Sequence, residues 1–381
     1  MRQRIGFLIS HPIQYYAPIF RALATRCDLT VFFAHRQTAA QQAEIGYGIA
    51  FDWDVDLLSG YESHFLTNVS RQPSTSRFGG CNSPEVLDKI AEGHFDAFVV
   101  PGWSLRSYWQ AARACRRQGV PVMVRGDSQL GSPRRALLRL AKELAFSQVM
   151  RLFDGYLYVG QRNRAYLEHY GAPADRLFFS PHCIDNEAFR TASGRSGDGA
   201  RRILFVGRLV PYKRPMAIVA AAARLKAAGK PVDLTFAGAG ELEGNLKEAV
   251  RVAGVSANFL GFTNQSQLPQ VYGNADVLVL PSGAEETWGL VVNEAMACGT
   301  PAVVSDAVGC GPDLVEPGVT GEVTPLDDVP ALATGIDRVL GFDPVAVRRH
   351  LAERIMVYSP ERAAEGILEA GAALAGLTRL R

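Results

Sequence analysis

Two doubly wound α/β domains facing each other across a cleft are what this sequence predicts, and three observations carry that reading. Short β-rich runs alternate with helix-length amphipathic segments along nearly the whole chain, the pattern of a parallel sheet with helical crossovers. At 381 residues, 48% of them hydrophobic, the chain is too long for one compact core and suits two Rossmann-like domains of ordinary size. Midway, the small polar stretch Thr191-Ala-Ser-Gly-Arg-Ser-Gly-Asp-Gly199 interrupts the alternation, which then restarts.

In the first half the strand candidates are Arg4–Ser10, Asp28–Ala34, Phe95–Pro101, Pro121–Arg125, Gly155–Gly160 and Arg176–Ser180. Helices fit between them at Gln14–Ala24, Ser83–Glu92, Leu105–Gln118, Pro133–Leu152 and Gln161–His169. The less regular stretch from about Arg36 to Arg77 reads as an insertion with room for one strand. The second half offers strands at Arg202–Gly207, Asp233–Ala237, Ala257–Gly261, Asp276–Leu280 and Pro301–Ser305. Its helices fall at Pro215–Ala228, Glu243–Val252, Gln267–Tyr272 and Gly289–Cys298. The expected division is one Rossmann-like domain over 1–190, a linker over 191–200 and a second Rossmann-like domain over 201–359. A C-terminal helix over about 360–381 is placed back on the first domain. Ligands of such folds bind at the carboxyl ends of the strands, here in the cleft between the halves.

The formal charge of +2 excludes a strongly basic nucleic-acid binder, so no nucleic-acid partner is expected. The charge is unevenly divided: residues 1–199 hold 23 Lys/Arg against 18 Asp/Glu, and residues 200–381 hold 17 against 20. Six scattered cysteines, with no CxxC pair, read as reduced thiols of a cytoplasmic protein. The apolar run Ile5–Ile9 is too short for a secretory signal, and no stretch approaches the ~18 apolar residues a spanning helix needs.

The most informative stretch runs from Pro281 through Glu286, Trp288, Gly289, Leu290 and Glu294 to Gly299-Thr-Pro301. A strand ends at Leu280, a turn carries Glu286, and a helix starts near Trp288 or Gly289. The free N–H groups of that first turn suit a pyrophosphate, and Gly289 lets it approach closely. Glu294, one to two turns in, is placed to accept hydrogen bonds from sugar hydroxyls. A second cluster, Phe205-Val-Gly207-Arg208-Leu-Val-Pro-Tyr-Lys213, sets two cations at the edge of a strand, where they would neutralise a diphosphate leaving group. Alone, the two glutamates fit a solvated helix start or the carboxyl pair of a hydrolase; the adjoining cations argue against both.

With these residues in view the chain resembles glycosyltransferase family 4, the group 1 family of retaining enzymes with the GT-B fold. Glu286 and Glu294, with seven residues between them and Ala-Met-x-x-Gly-x-Pro following, match one hallmark of that family. Val-Gly-Arg208 with Lys213 matches a second, and Pro181-His-Cys-Ile-Asp185-Asn-Glu-Ala-Phe189 a third. The resemblance implies that Glu294 binds ribose, Glu286 the donor sugar, and Arg208 and Lys213 the diphosphate. Gly207, Trp288, Gly289 and Leu290 would line the same site, with Gly238, Gly240 and Phe262 forming phosphate and base pockets. The sequence departs from the family in two places. Pro-His-Cys-Ile-Asp stands where many members have Pro-Asn-Gly-Val-Asp, a change expected to affect packing only. Arg125 stands where many present a His to the donor sugar, and is a candidate for that contact.

Other residues carry two readings. His11 and Gln14, after the first strand, either contact acceptor or phosphate or belong to a proline-shaped turn with buried Tyr. Trp103 reads as core rather than as a platform for an acceptor sugar. Asp52-Trp-Asp54-Val-Asp56 mimics a metal-binding DxD, but a strand edge is the better reading, and no metal site is expected. Gly238-Ala-Gly240 lacks the third glycine of a dinucleotide fingerprint and reads as a tight turn. Arg135, Arg139 and Lys142, on a helix over Pro133–Arg151 with Leu137, Leu140 and Leu144 opposite, make either the wet face of a crossover helix or a docking face for anionic membrane.

The expected function is therefore transfer of a sugar from a nucleoside diphosphate sugar, without a cofactor, to a glycan or lipid-linked glycan acceptor. The setting implied by family habit is bacterial surface polysaccharide assembly, in the cytoplasm or peripherally on the inner face of the cell membrane. A nucleotide-sugar epimerase of the same architecture, or a non-catalytic partner subunit, are the rival readings.

Overall fold

A computed structural model of the chain describes residues 2–38, 52–131, 143, 145–190 and 201–378. The expected linker, most of the basic helix with Arg135, Arg139 and Lys142, and part of the insertion lie outside the described residues.

Thirteen strands form two sheets among the described residues. The first contains β1 (Arg4–Ile9), β2 (Asp28–Phe33), β3 (Glu62–Phe65), β4 (Ala97–Val100), β5 (Val122–Gly126), β6 (Gly155–Tyr158) and β7 (Leu177–Phe179), in the order β3-β2-β1-β4-β5-β6-β7. The second contains β8 (Arg202–Val206), β9 (Asp233–Ala237), β10 (Ser256–Gly261), β11 (Val277–Leu280), β12 (Ala302–Ser305) and β13 (Gly321–Thr324), in the order β10-β9-β8-β11-β12-β13. Every pairing is parallel. The central strands are wholly buried, as in Ala97–Val100 and Val277–Leu280, because helices cover both faces of a parallel sheet. Strand order reverses between β1 and β4 and between β8 and β11. At such points adjacent connections leave toward opposite faces and open a crevice at the carboxyl ends.

Element ends moved for local reasons. The strand expected from Phe95 to Pro101 pairs only over Ala97–Val100, and Pro101 has no N–H to offer a ladder. The helix expected from Gly289 starts at Leu290, since Gly289 sits in the left-handed region at φ +100° and caps it. The insertion contributes the edge strand β3. β13 and the helices Val329–Leu340 and Pro344–Val357 had no counterpart in the sequence reading.

Helix Pro360–Thr378 leaves the second sheet and packs on the first. Its Ala363, Ile367, Ala370 and Leu374, spaced four, three and four residues apart, share a core with Ile5, Phe7 and Leu157. Gly366 lies so close to β7 that a Cβ there would stand 1.9 Å from the Phe179 carbonyl oxygen. Helix Pro344–Val357 instead buries Val347, Leu351 and Ile355 with Val292 and Met296 of the second sheet's core. All six cysteines are buried and unpaired. No helix among the described residues is long and apolar enough to cross a membrane.

Candidate active site

The strand ends of the two sheets face one cavity of about 340 Å³, within the range of small-molecule sites. The second sheet supplies most of its wall, through the segments after β8, β9, β10 and β11. The first supplies Gln14, Tyr15, Trp53, Asp127 and His182.

After β8, Gly207 adopts φ +142°, and the loop after β9 presses against it. A Cβ on Gly238 would lie 2.0 Å from the Gly207 carbonyl oxygen, so only glycine permits this approach. The turn sends two cations into the cavity. Arg208 donates from Nη2 to the Tyr212 hydroxyl at 2.9 Å. Lys213 closes a single 3-10 turn, Pro211–Lys213, is 8% exposed, and donates from Nζ to Glu286 Oε2. Facing them is the start of helix Leu290–Ala297, whose first N–H groups have no carbonyl behind them within the helix. Leu290 and Val291 line the cavity there. Two cations and a helix start converging on one space make an anion site.

Glu286 sits on a turn held from several sides. Its carbonyl accepts from Gly309 N at 3.1 Å and from Gln129 Nε2, of the first half, at 3.1 Å. Gln129 also donates to the Ala284 carbonyl at 3.1 Å. Next to it, Thr287 donates from Oγ1 to Asp127 Oδ2 at 2.7 Å, and Arg162 donates to the carbonyls of Asp306 and Ala307. Side chains following β5 thus fix the turn that follows β11, and Arg162, following β6, holds the segment that follows β12.

Glu294, one turn into the helix, is 7% exposed and accepts from the buried Tyr272 hydroxyl at 2.5 Å. Burial pushes its pKa up to about 7 against hydrogen bonds from Tyr272 and Gln265 and the charge of Lys213. The carboxyl is poised between its two protonation states near neutrality.

The residues expected from sequence largely converge. Arg208, Lys213, Glu286, Glu294, Gly207, Gly238, Phe262, Trp288, Gly289, Leu290 and Gln14 all line the one cavity. Three do not. Arg125 is 1% exposed and spends its guanidinium on Ser180 Oγ (3.0 Å) and the Pro181 carbonyl (2.7 Å), above the Tyr16 ring. It joins the end of β5 to the segment after β7, which corrects its candidacy as the sugar contact. Gly240 lies behind the wall, where a Cβ would stand 2.4 Å from the Leu209 carbonyl oxygen. His11 shares a 2.9 Å hydrogen bond with Ser10, and burial followed by the charge of His35 lowers its pKa to about 4.

Trp103 packs against Phe146 and Tyr166, as core. The acidic run Asp52–Asp56 does not converge. Asp54 accepts from Ser266 and Asp56 from Leu58 and Ser59, and no group of three or more His, Cys, Asp or Glu among the described residues is placed to hold a metal.

Sequence reasoning missed Asp127, His182, Tyr272 and Gln265. Asp127 follows a strand end, the signal used for Arg208, and could have been found by it. His182 stands in the Pro-His-Cys-Ile-Asp run that was expected to affect packing only, yet it lines the cavity, edge-on to Tyr15 and Trp288. Its Nδ1 is buried without a hydrogen-bond partner, and burial, then the Arg125 charge, hold its pKa well below the usual histidine value. The neutral ring stands on the wall with that nitrogen enclosed beneath the surface.

Comparison with known proteins follows this geometry. Residues 187–354 match the family model described as Glycosyl transferases group 1. The D-inositol 3-phosphate glycosyltransferase of Mycolicibacterium smegmatis is 35% identical over 217 residues, which is 56% of this chain and 48% of that protein. Its counterpart in Pseudarthrobacter chlorophenolicus is 36% identical over 158 residues, 38% of this chain and 37% of that protein. The match thus spans half or less of the length of these curated relatives. Among solved structures, Anabaena HepE in complex with UDP and glucose superposes with a TM-score of 0.69 at 19% identity, covering 96% of this chain and 98% of that one. Sucrose-phosphate synthase from Thermosynechococcus elongatus does so with a TM-score of 0.66 at 19% identity, covering both chains in full. At such identities the likeness speaks to fold. The chain is thus built on the GT-B fold, and residues 187–354, mostly in its second half, are similar to the group 1 glycosyl transferases.

Proposed function

We propose that the protein is a retaining glycosyltransferase that moves a sugar from a nucleoside diphosphate sugar to a glycan or lipid-linked glycan acceptor. The observation that carries this reading is the meeting of Arg208, Lys213, Glu286 and Glu294 with a helix start on one cavity between two sheets. The cations and helix N–H groups suit a diphosphate, and the two carboxylates, flanking it, suit hydroxyl-rich groups on either side.

In this mechanism Glu294 accepts from the ribose hydroxyls and Glu286 from those of the donor sugar. The bond between the anomeric carbon and the β-phosphate oxygen breaks, and its electron pair stays on the oxygen. Arg208 and Lys213 stabilise that developing charge. The acceptor oxygen forms its bond on the face the diphosphate leaves, and its proton passes to the departing phosphate. Retention follows from that single face and is what the family resemblance implies. No step calls on a metal.

HepE of Anabaena was solved with UDP and with UDP-glucose, so uridine donors come first in a panel. The test is incubation with nucleotide sugars, with and without oligosaccharide or lipid-linked acceptors, followed by mass and anomeric configuration of the product. A glycosylated acceptor with the donor's configuration supports the proposal. An inverted product removes the retaining mechanism. Conversion of the donor sugar with no acceptor present indicates an epimerase, and donor binding with no turnover across the panel indicates a partner subunit.

A further inference from the structure

The acidic run that mimics a metal motif has a different use. The Asp52 carbonyl accepts from Asn264 Nδ2 at 2.9 Å, and the Asp54 carboxylate accepts from the Ser266 backbone N–H at 3.2 Å and from its hydroxyl. These bonds tie the insertion of the first half to the loop after β10, 212 residues away in sequence. Between the two anchors lies Trp53, and its side chain is on the cavity wall with Phe262, Thr263 and Gln265.

Strand order places that corner relative to the anion site. Along the edge of the second sheet come β10 with Phe262, then β9 with Gly238, then β8 with Arg208, then β11 leading to Glu286. Neighbouring strands lie about 4.8 Å apart, so the aromatic corner stands about 10 Å from the cations. Buried Glu294 belongs to the same wall as Gln265 of that loop. A diphosphate held at Arg208 and Lys213 would leave its nucleoside running away from Glu286, past Glu294, toward Trp53 and Phe262. The far end of that path needs a flat, apolar-faced group with polar edges, which is what a nucleobase is and a second sugar is not.

We propose that Trp53 covers the nucleobase of the donor, making the base pocket a joint product of both domains, with Asp52 and Asp54 as its anchors. This rests on the nucleotide-sugar reading above. Aromatic stacking on a base tolerates any base, so the contact adds affinity for the nucleoside part and little choice between bases.

The experiment compares wild type, Trp53→Ala, Trp53→Phe and Asp54→Asn by calorimetric titration with UDP, ADP, GDP and inorganic pyrophosphate. The base contact predicts about tenfold weaker binding of the preferred nucleoside diphosphate by Trp53→Ala. Recovery to within about threefold is expected for Trp53→Phe, a loss in the same direction for Asp54→Asn, and unchanged pyrophosphate binding throughout. Equal loss for pyrophosphate and nucleotide in Trp53→Ala would mean that the segment only closes the cleft and would overturn the base contact. Wild-type affinity retained by Trp53→Ala would also overturn it while leaving the donor reading intact. A wild type that binds pyrophosphate but no nucleoside diphosphate would remove both.

Discussion

Lys213 donates from its ammonium to the carboxylate of Glu286, binding the turn after β8 to the turn after β11. Both side chains are largely buried, at 11% and 14% exposure. The pair therefore sets the spacing of the two groups assigned here to the leaving group and to the sugar. A phosphate entering the cavity meets a cation whose position is already determined, so little reorganisation remains for the moment of bond breaking. In the proposed mechanism charge grows on the β-phosphate oxygen only in the transition state, whereas the ground-state diphosphate would be shared among Arg208, Lys213 and the helix start. Lys213→Ala and Arg208→Ala should each lower the single-turnover rate about a hundredfold, equivalent to ~3 kcal/mol, with less than a tenfold change in donor dissociation constant. Rapid-quench turnover beside equilibrium titration separates the two quantities. Hundredfold weaker binding with an unchanged rate would assign the cations to uniform binding instead.

The same pair makes a stability prediction. Removing Lys213 alone leaves Glu286 buried without its counter-charge and should cost about 3 kcal/mol in urea unfolding. Replacing both residues by alanine should cost less than the sum of the single changes, because the second removes the charge that the first orphaned. Additive single and double mutants would show that the pair does not couple.

The two carboxylates should separate by ligand. Glu294→Ala is expected to weaken both free nucleoside diphosphate and the complete donor, since ribose is common to them. Glu286→Ala should spare the diphosphate and weaken only the donor. Isothermal titration of both ligands against both variants decides it, and parallel losses in all four titrations would undo the assignment.

Glu294 also couples function to pH. Its folded-state pKa of about 7 lies above the usual carboxyl value of 4.5. The native state therefore binds the extra proton between those two values. Stability from this group is fully present below about pH 4.5 and is lost as pH rises toward 7. Glu294→Gln, which can still accept from Tyr272, should raise the midpoint of thermal unfolding at pH 8 and lose that advantage at pH 4. The gain is about 3 kcal/mol at most. Donor affinity of the wild type should strengthen as pH rises through 7, when the carboxylate that accepts from ribose forms, and the Gln variant should lack that dependence.

His182 offers a clean contrast between packing and contact. Phenylalanine there would fill similar space and remove the unpaired Nδ1. If the imidazole only packs, His182→Phe should leave kcat/KM within twofold and hold or raise stability. The cavity geometry predicts the other outcome, about a tenfold lower kcat/KM with unchanged nucleoside diphosphate binding. Steady-state kinetics on the donor that the panel identifies would show which holds.

What the sequence reading reached follows from the range of each signal. Glu286 and Glu294 lie on one turn and its helix, and Arg208 and Lys213 on one strand end, so their spacing was readable along the chain. The alternation of strands and helices was local in the same way, and it placed β8 to β12 with shifts at their ends. Tyr272 and Trp53 reach the site by tertiary contact alone. Nothing around either residue in sequence announces Glu294 or the loop at Asn264 as its neighbour. Arg125 failed as a sugar contact for the converse reason: its strand position was read correctly, but its guanidinium turned to the carbonyl of Pro181. β13 escaped because Gly321–Thr324 is four residues long and follows Pro317 and Gly318, where turn signals mask a short edge strand.

Phe189 is already buried in the second body's core, and helix Pro360–Thr378 returns to the first sheet, so the polypeptide passes between the two bodies twice, once between Phe179 and Phe189 and once beyond Tyr358. A single tether would allow one body to swivel on the other in any direction. Two tethers define a line, and rotation about that line is the motion the backbone leaves cheap. The cavity should then open and shut like a jaw, with Trp53 and Asn264 on opposing lips and the Gln129 contact to Glu286 near the bite. Cutting the chain after Tyr358 would leave Ile5 and Leu157 uncovered and free the second body to turn, abolishing the alignment even with every cavity residue intact.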